Sequence, residues 1–142
     1  MTHVLDTDHI SILQRPTGRE YPTLVANINL HPPGDVAVSI TSFHEQALGA
    51  HSVINQSRDA AELVRHYEIL STILKAYASF TVLPLDSGAV AALATLKSQK
   101  LRIGTMDLRI AAIAISRNLT LVTRNTSDFG QIRGLRIENW TK

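Results

Sequence analysis

The 142 residues have the size of one folding unit, and 44% hydrophobic with 18% charged side chains excludes a disordered chain. The absence of cysteine removes disulfides, thiolate nucleophiles and zinc sites built on sulfur. The formal net charge is only +2, yet residues 1–96 hold 5 basic and 9 acidic side chains while residues 97–136 hold 8 basic and 2 acidic ones. That second excess suits a polyanion, although a single aromatic residue, Phe129, makes no interleaved platform to stack bases.

In chain order, His3 to Leu5 predicts a short apolar strand, and Asp8 to Gln14 a helix stopped by Pro16. Thr23 to Leu30 predicts a second helix, ended by the Pro32-Pro33-Gly34 loop. The β-branched stretch Val36 to Ile40 reads as a buried strand, after which Thr41 or Ser42 offers an N-cap for a helix to Asn55. Arg58 to Ser79 carries Leu63, Val64, Tyr67, Leu70, Ile73, Leu74 and Tyr77 on one helical stripe, expected to pack into the core, as is the Leu24, Val25, Ile28 group. Thr81 to Leu83 predicts a strand, Ser87 to Lys100 a helix, Thr105 to Arg117 a helix capped by Thr105, and Thr120 to Thr123 a strand; Ile137 adds a short last one. Strands alternating with helices need crossover connections, so the fold class is α/β. The expected architecture is a mostly parallel sheet of four or five strands with helices on both faces. Residues 1–142 are expected to form a single domain. The first residues lack a secretory pattern and the longest apolar run, Ile110 to Ile115, is too short to cross a bilayer, so a cytoplasmic protein is expected.

Carboxylates in apolar settings need a compensating partner, because an unpaired buried charge costs several kcal/mol. Asp6 directly follows Val4 and Leu5, at the carboxyl end of a strand, where open α/β sheets bind ligands. Asp6 is equally placed to cap the next helix, a job Asp8 could also do. Glu45 lies one turn into its helix beside Leu48, Gly49 and Ser52, and no Lys or Arg occurs between residues 20 and 57. Asp107 heads a helical face of Ile110, Ala111 and Ala114. Asp128 follows the fourth strand, where an Asx turn or a short-helix cap is the simpler reading. All four acids can therefore lie at one edge of the sheet. Four converging carboxylates repel unless divalent cations neutralise them, and an all-oxygen set favours magnesium or manganese. A pair of such ions about 4 Å apart can activate water for attack on a phosphodiester. Thr123 and Asn125 are suited to orient a ligating carboxylate or water, although both are also common turn formers.

Val4-Leu5-Asp6-Thr7-Asp8, Ser39-Ile40-Thr41 with Glu45, Asp107-Leu108 through Ala114, and Leu121-Val122-Thr123 with Asn125, Asp128 and Phe129 resemble the PIN domain. With the ending Gly134-Leu135-Arg136-Ile137-Glu138-Asn139-Trp140, the chain resembles the VapC-type toxins of bacterial toxin-antitoxin pairs. The resemblance implies a Rossmann-like sheet and a magnesium- or manganese-dependent endoribonuclease acting on RNA. It also implies a homodimer and a VapB-type antitoxin that holds the enzyme inactive. Asp6, Glu45 and Asp107 match the family's principal acids and Asp128 its more variable fourth. Asp8 stands where the family often has Asn, which leaves a peripheral fifth carboxylate open. Asn118 replaces a Gly common before the fourth strand, a change tolerated because Asn accepts the left-handed conformation.

Two other readings use the same residues. Asp6-Thr7-Asp8 after a strand is similar to the nucleophile and acid of haloacid-dehalogenase phosphatases, but the later Asp-Asp pair of such enzymes is missing. A non-enzymatic module could hold a cation or a basic peptide on the same acidic edge. His44-Glu45 does not make a metalloprotease motif, since Leu48 stands at the second histidine position, and His44 with His51 lacks a third ligand for zinc.

Overall fold

The computed structural model describes residues 1–142. The elements run β1 (His3–Leu5), α1 (Thr7–Leu13), α2 (Tyr21–Asn29), β2 (Val36–Ser39), α3 (Ile40–Asn55), α4 (Ala60–Ala78), β3 (Thr81–Leu83), α5 (Ser87–Ser98), α6 (Thr105–Ser116), β4 (Thr120–Val122), α7 (Thr126–Phe129) and β5 (Ile137–Glu138). Every strand pairing is parallel, in the order β3-β2-β1-β4-β5. The order reverses at β1, so connections leave its two sides in opposite directions and open a crevice between the carboxyl ends of β1 and β4.

Both faces of the sheet are covered, which is why the central strands read as continuous apolar runs instead of alternating ones. Val4, Ala37 and Leu121 pack with α5, α6 and α7, whereas Leu5, Val36, Val38 and Val122 pack with α1 to α4. Each such fully buried Val or Leu contributes about 1.5–3 kcal/mol. The Arg117–Asp86 ion pair at 2.8 Å joins the end of α6 to the cap of α5, making those helices an antiparallel pair.

Several expected boundaries shift by one or two residues because the cap differs from the expected one. The cap of α3 is Ser39, whose hydroxyl accepts from the Ser42 N–H at 3.0 Å, so neither Thr41 nor Ser42 is the cap and Ile40 is already helical. Asp6, and not Asp8, caps α1. Gly104 precedes α6 without a side-chain bond, and Thr105 is its first helical residue. Pro22 sits in the first turn of α2, where a missing N–H costs nothing, and lets that helix begin at Tyr21. Asn118 adopts φ 55°, the expected left-handed turn into β4. The short α7 stands where a turn was the simpler expectation. It stops at Gly130, where a Cβ would run into the Thr126 carbonyl oxygen.

The α4 stripe departs from expectation. Ile73 and Tyr77 are buried, but Leu63, Val64, Tyr67 and Leu74 are 43–64% exposed. With Phe43 and Leu70 they line an open apolar groove against α3. The strands are only two to four residues long, so helices of 16 and 19 residues outrun the sheet that could bury them. The Leu24 group meets its expectation: Leu24 is fully buried and Ile28 packs beside it.

Candidate active site at the carboxyl edge of the sheet

Leu5 pairs with both Val38 and Val122, which brings the next residues, Asp6, Ser39 and Thr123, level with one another at the carboxyl edge. Asp6 is buried at 6% exposure and is held by three donors. Its Oδ1 accepts from the His9 backbone N–H at 2.9 Å and from His9 Nδ1 at 3.1 Å. Its Oδ2 accepts from the Thr123 hydroxyl at 2.5 Å. Asp6 thus serves both as cap and as site carboxylate, and the two readings of the sequence are one structure. His9 is fully buried and its Nε2 has no partner, so the ring's one side-chain bond is the Nδ1 contact with Asp6. In the sequence His9 carries no signal beyond its spacing of three from a capping Asp.

Hydroxyls stitch the helix starts together. Ser39 and Thr7 both donate to Ser42 Oγ, at 3.1 and 3.0 Å, tying α1 to α3 beneath Asp6 and Glu45. Gln46 exchanges side-chain bonds with Gln14 at 2.9 and 3.1 Å and donates to Ser11 at 2.9 Å, which fixes the rotation of α3 and hence of neighbouring Glu45. Glu45 Oε1 is buried and has no hydrogen-bond partner. Beyond it lies the Tyr77 hydroxyl, also buried and unpartnered. Burial pushes the Tyr77 pKa up and the Glu45 charge adds to the rise.

Asp107, in the first turn of α6, has its pKa raised by burial first and then by the charges of Glu45, Asp6 and Asp128. The three charges act on Asp107 with no basic side chain countering the rise, although no three of the four carboxylates offer oxygens within 4.8 Å of one another. Asp128 is positioned by Asn125, whose Oδ1 accepts from the Asp128 N–H at 3.2 Å while Nδ2 donates to Asp128 Oδ2 at 3.0 Å. Thr123 Oγ1 in turn accepts from the Asn125 N–H at 3.0 Å. One chain of bonds therefore runs from Asp6 through Thr123 and Asn125 to Asp128.

Asp8 borders the site: one of its oxygens lies within 4.8 Å of ligand atoms of Asp6 and His9, but its own bonds run to Arg124. Arg124 grips it with Nε and NH2 at 2.6 and 2.9 Å and reaches Glu20 at 3.4 Å. The Arg124 hydrogen bond holds the Asp8 pKa below the usual carboxylate range. His44 and His51 are exposed, and His51 bonds only Asn55. Of the basic stretch, Arg117, Arg124 and Arg136 are committed to neighbours, whereas Lys97, Lys100, Arg102 and Arg133 are exposed.

An all-carboxylate set with a buried, unpartnered oxygen and mutual repulsion fits a divalent oxygen-loving cation, since a cation would supply the missing partner.

Comparisons with known proteins agree with this geometry. The PIN-domain profile matches residues 4–135. Ribonuclease VapC1 of Haemophilus influenzae strain R2866 is 30% identical over 144 aligned positions, covering all of both chains. Ribonuclease VapC2 of Rickettsia felis is 49% identical over 47 residues, covering 33% of this chain and 35% of that one. Among solved structures, VapBC-1 from nontypeable Haemophilus influenzae superposes with a TM-score of 0.77 at 25% identity over all of both chains. FitAcB from Neisseria gonorrhoeae gives 0.71 at 28% identity over 97% of each. On the strength of the profile match and the full-length relative, the chain belongs to the PIN-domain family and, within it, to the VapC group.

Proposed function

We propose that this protein is a magnesium- or manganese-dependent endoribonuclease, the toxin of a VapBC-type pair, which hydrolyses RNA phosphodiester bonds and is held inactive by a VapB-type antitoxin. The observation that carries the reading is the unpartnered Glu45 Oε1 beside Asp6, Asp107 and Asp128, with no basic side chain offsetting Asp107. The relatives named as ribonucleases and the VapBC complexes among similar structures support it.

Asp6, Glu45, Asp107 and Asp128 would hold the ion. When bound, magnesium or manganese supplies Lewis-acid activation of water and charge neutralisation at the phosphodiester. Thr123 and His9 fix the Asp6 carboxylate so that the remaining lone pair on Oδ2 keeps one direction, and Asn125 orients Asp128. The exposed Lys97, Lys100, Arg102 and Arg133 draw the RNA backbone toward the acids without reading sequence. Asp8, paired with Arg124 and within 4.8 Å of Asp6, supports the set from its border. The phosphatase alternative draws no support, because Asp8, which would be its acid, is bound to Arg124 and the matching relatives are named as ribonucleases.

The exposed apolar stripe of α4 supports association, either as a homodimer or with the antitoxin. An Arg of the antitoxin entering the acidic site would displace the ion by bidentate pairing. No helix is long and apolar enough to cross a membrane, and we place the protein in the cytoplasm as one domain of residues 1–142.

The test incubates the partner-free protein and Asp6→Asn with mixed structured RNAs in magnesium, manganese or chelator. Cleavage that needs both the metal and Asp6 is expected. Intact RNA under every condition, with the fold preserved, would leave the binding-module reading in its place.

A further inference from the structure

At the opposite, amino-terminal edge of the sheet lies a second polar cluster that the nuclease reading does not use. His3 opens β1, His31 follows α2, and Asp35 precedes β2; one ligand atom from each lies within 4.8 Å of the others. His31 Nδ1 meets Asp35 Oδ2 at 3.0 Å. The Thr2 hydroxyl gives its one proton to Asp35 Oδ2 at 2.5 Å, so at 2.6 Å it can only accept from His3 Nδ1. Asp35 Oδ1 takes the Met1 amino group at 3.2 Å. The far nitrogen of His3, Nε2, meets Glu138 Oε2 at 3.0 Å, and Glu138 Oε1 accepts from Trp140 Nε1 at 3.0 Å.

His3 Nδ1 thus faces the Thr2 hydroxyl and lies with His31 and Asp35, while Nε2 faces Glu138, so a cation at Nδ1 would sit among nitrogen and oxygen donors. The surroundings match what a metal-ligating histidine requires, since such rings nearly always donate their other N–H to a carboxylate that is itself held. Here Glu138 is that carboxylate and Trp140 holds it. The Thr2 hydrogen bond keeps the Asp35 carboxyl down at about 2, so it is an anion at all ordinary pH.

We propose that Asp35, His31 and His3 form a binding site for one borderline divalent metal ion of the zinc or cobalt class, distinct from the acidic site. Bonds of about 2.0–2.1 Å require the three ligand atoms to draw inward by less than about 1 Å each. Thr2 Oγ1 or water completes a tetrahedron. Two imidazoles with one carboxylate select such ions over magnesium, which prefers oxygen alone. The ion would pin the start of β1 to the loop before β2, with β5 locked behind it through Glu138. Three residues of β1 separate the two sites, about 10 Å.

Trp140 is the chain's only tryptophan, and its ring lies 4.8 Å from both His3 and His31, stacked on the latter. It is therefore a local reporter. The full chain, free of any polyhistidine tag, is titrated with Co2+ in saturating Mg2+, following Trp140 fluorescence and the cobalt visible bands. Quenching that saturates at one equivalent is expected. His31→Gln and Asp35→Asn should each raise the half-saturating concentration at least tenfold, while Asp107→Asn leaves it unchanged. Far-UV circular dichroism verifies folding, and His31, 25% exposed, is the variant least able to disturb it. Quenching that follows Asp107, or that survives His31→Gln, overturns the proposal. So does fluorescence that responds to pH but not to millimolar cobalt, which makes the cluster a hydrogen-bonded clasp only. No cleavage is read, so this test and the nuclease test fail separately.

Discussion

Thr123→Val is the sharpest probe of how the acidic site is built. The side chain is fully buried and nearly isosteric with valine, so the change removes an oxygen without opening a cavity. That oxygen does two jobs, donating to the Asp6 carboxylate at 2.5 Å and accepting from the Asn125 N–H at 3.0 Å. Losing a bond to a buried charge costs about 1.5–3 kcal/mol and stranding the amide about 1 more, for an expected loss of about 2.5–4 kcal/mol. Against a total of about 5–15 kcal/mol this is large. Urea unfolding in chelator should show a lower midpoint with an unchanged slope. Thr123→Ser separates the hydroxyl from the shape: it keeps both bonds and loses one methyl, about 1 kcal/mol. If valine unfolds within about 0.5 kcal/mol of wild type, or serine loses as much as valine, the hydroxyl does not hold Asp6 and the chain of bonds to Asp128 is not structural.

Asp107→Asn should abolish cleavage yet stabilise the fold at neutral pH. Its raised pKa means the folded state disfavours the charged form, so the wild-type group is at ease below the ordinary carboxyl value of about 3.9 and loses stability as pH rises through its folded pKa. Thermal melts should therefore favour the variant at pH 7 and converge near pH 4; a gap that widens in acid reverses the sign and sinks the argument. Tyr77→Phe removes a buried hydroxyl with no partner and should stabilise by about 1 kcal/mol in denaturant unfolding, whereas a loss of that size would reveal a hidden partner. Val64→Glu, at a site 60% exposed, should leave unfolding within about 0.5 kcal/mol while weakening association of the α4 face in sedimentation experiments. Unchanged association would show that the groove is not an interface.

Periodicity made the sheet legible, because strands buried on both faces are continuous apolar runs and each is followed by a helical stripe. Asp6, Glu45 and Asp107 stood out in the sequence for a related reason, each beside apolar residues, whereas Asp128 in its polar turn carried no such signal and was singled out by the family resemblance. What local pattern could not supply was orientation. Whether Asp6 caps a helix or faces a site depends on where its two oxygens point, and the structure gives it both tasks. The failure at α4 was quantitative, since a stripe of seven apolar residues shows amphipathicity but not how much sheet is available to bury it. The cluster joins His3 of β1 to His31 and Asp35 of the loop between α2 and β2, and a spacing of four in a proline-rich loop carries no metal signal without the strand pairing that brings His3 beside it.

The acids of the site are not equivalent, and the difference follows from the fold. Asp6 lies at the strand-order reversal, where β4 supplies Thr123 and the first turn of α1 supplies N–H donors, so it is satisfied by protein alone. Asp128 has Asn125. Glu45 and Asp107 reach the same place from α3 and α6, whose starts lie on elements covering opposite faces of the sheet, and nothing in the chain satisfies them: one has a bare buried oxygen, the other a pKa driven up by its neighbours. A cation entering the site therefore gains most from Glu45 and Asp107, not from Asp6, and draws α3 and α6 together. Metal binding should accordingly stabilise the wild type far more than it stabilises Asp107→Asn, even though the latter starts from the more stable fold.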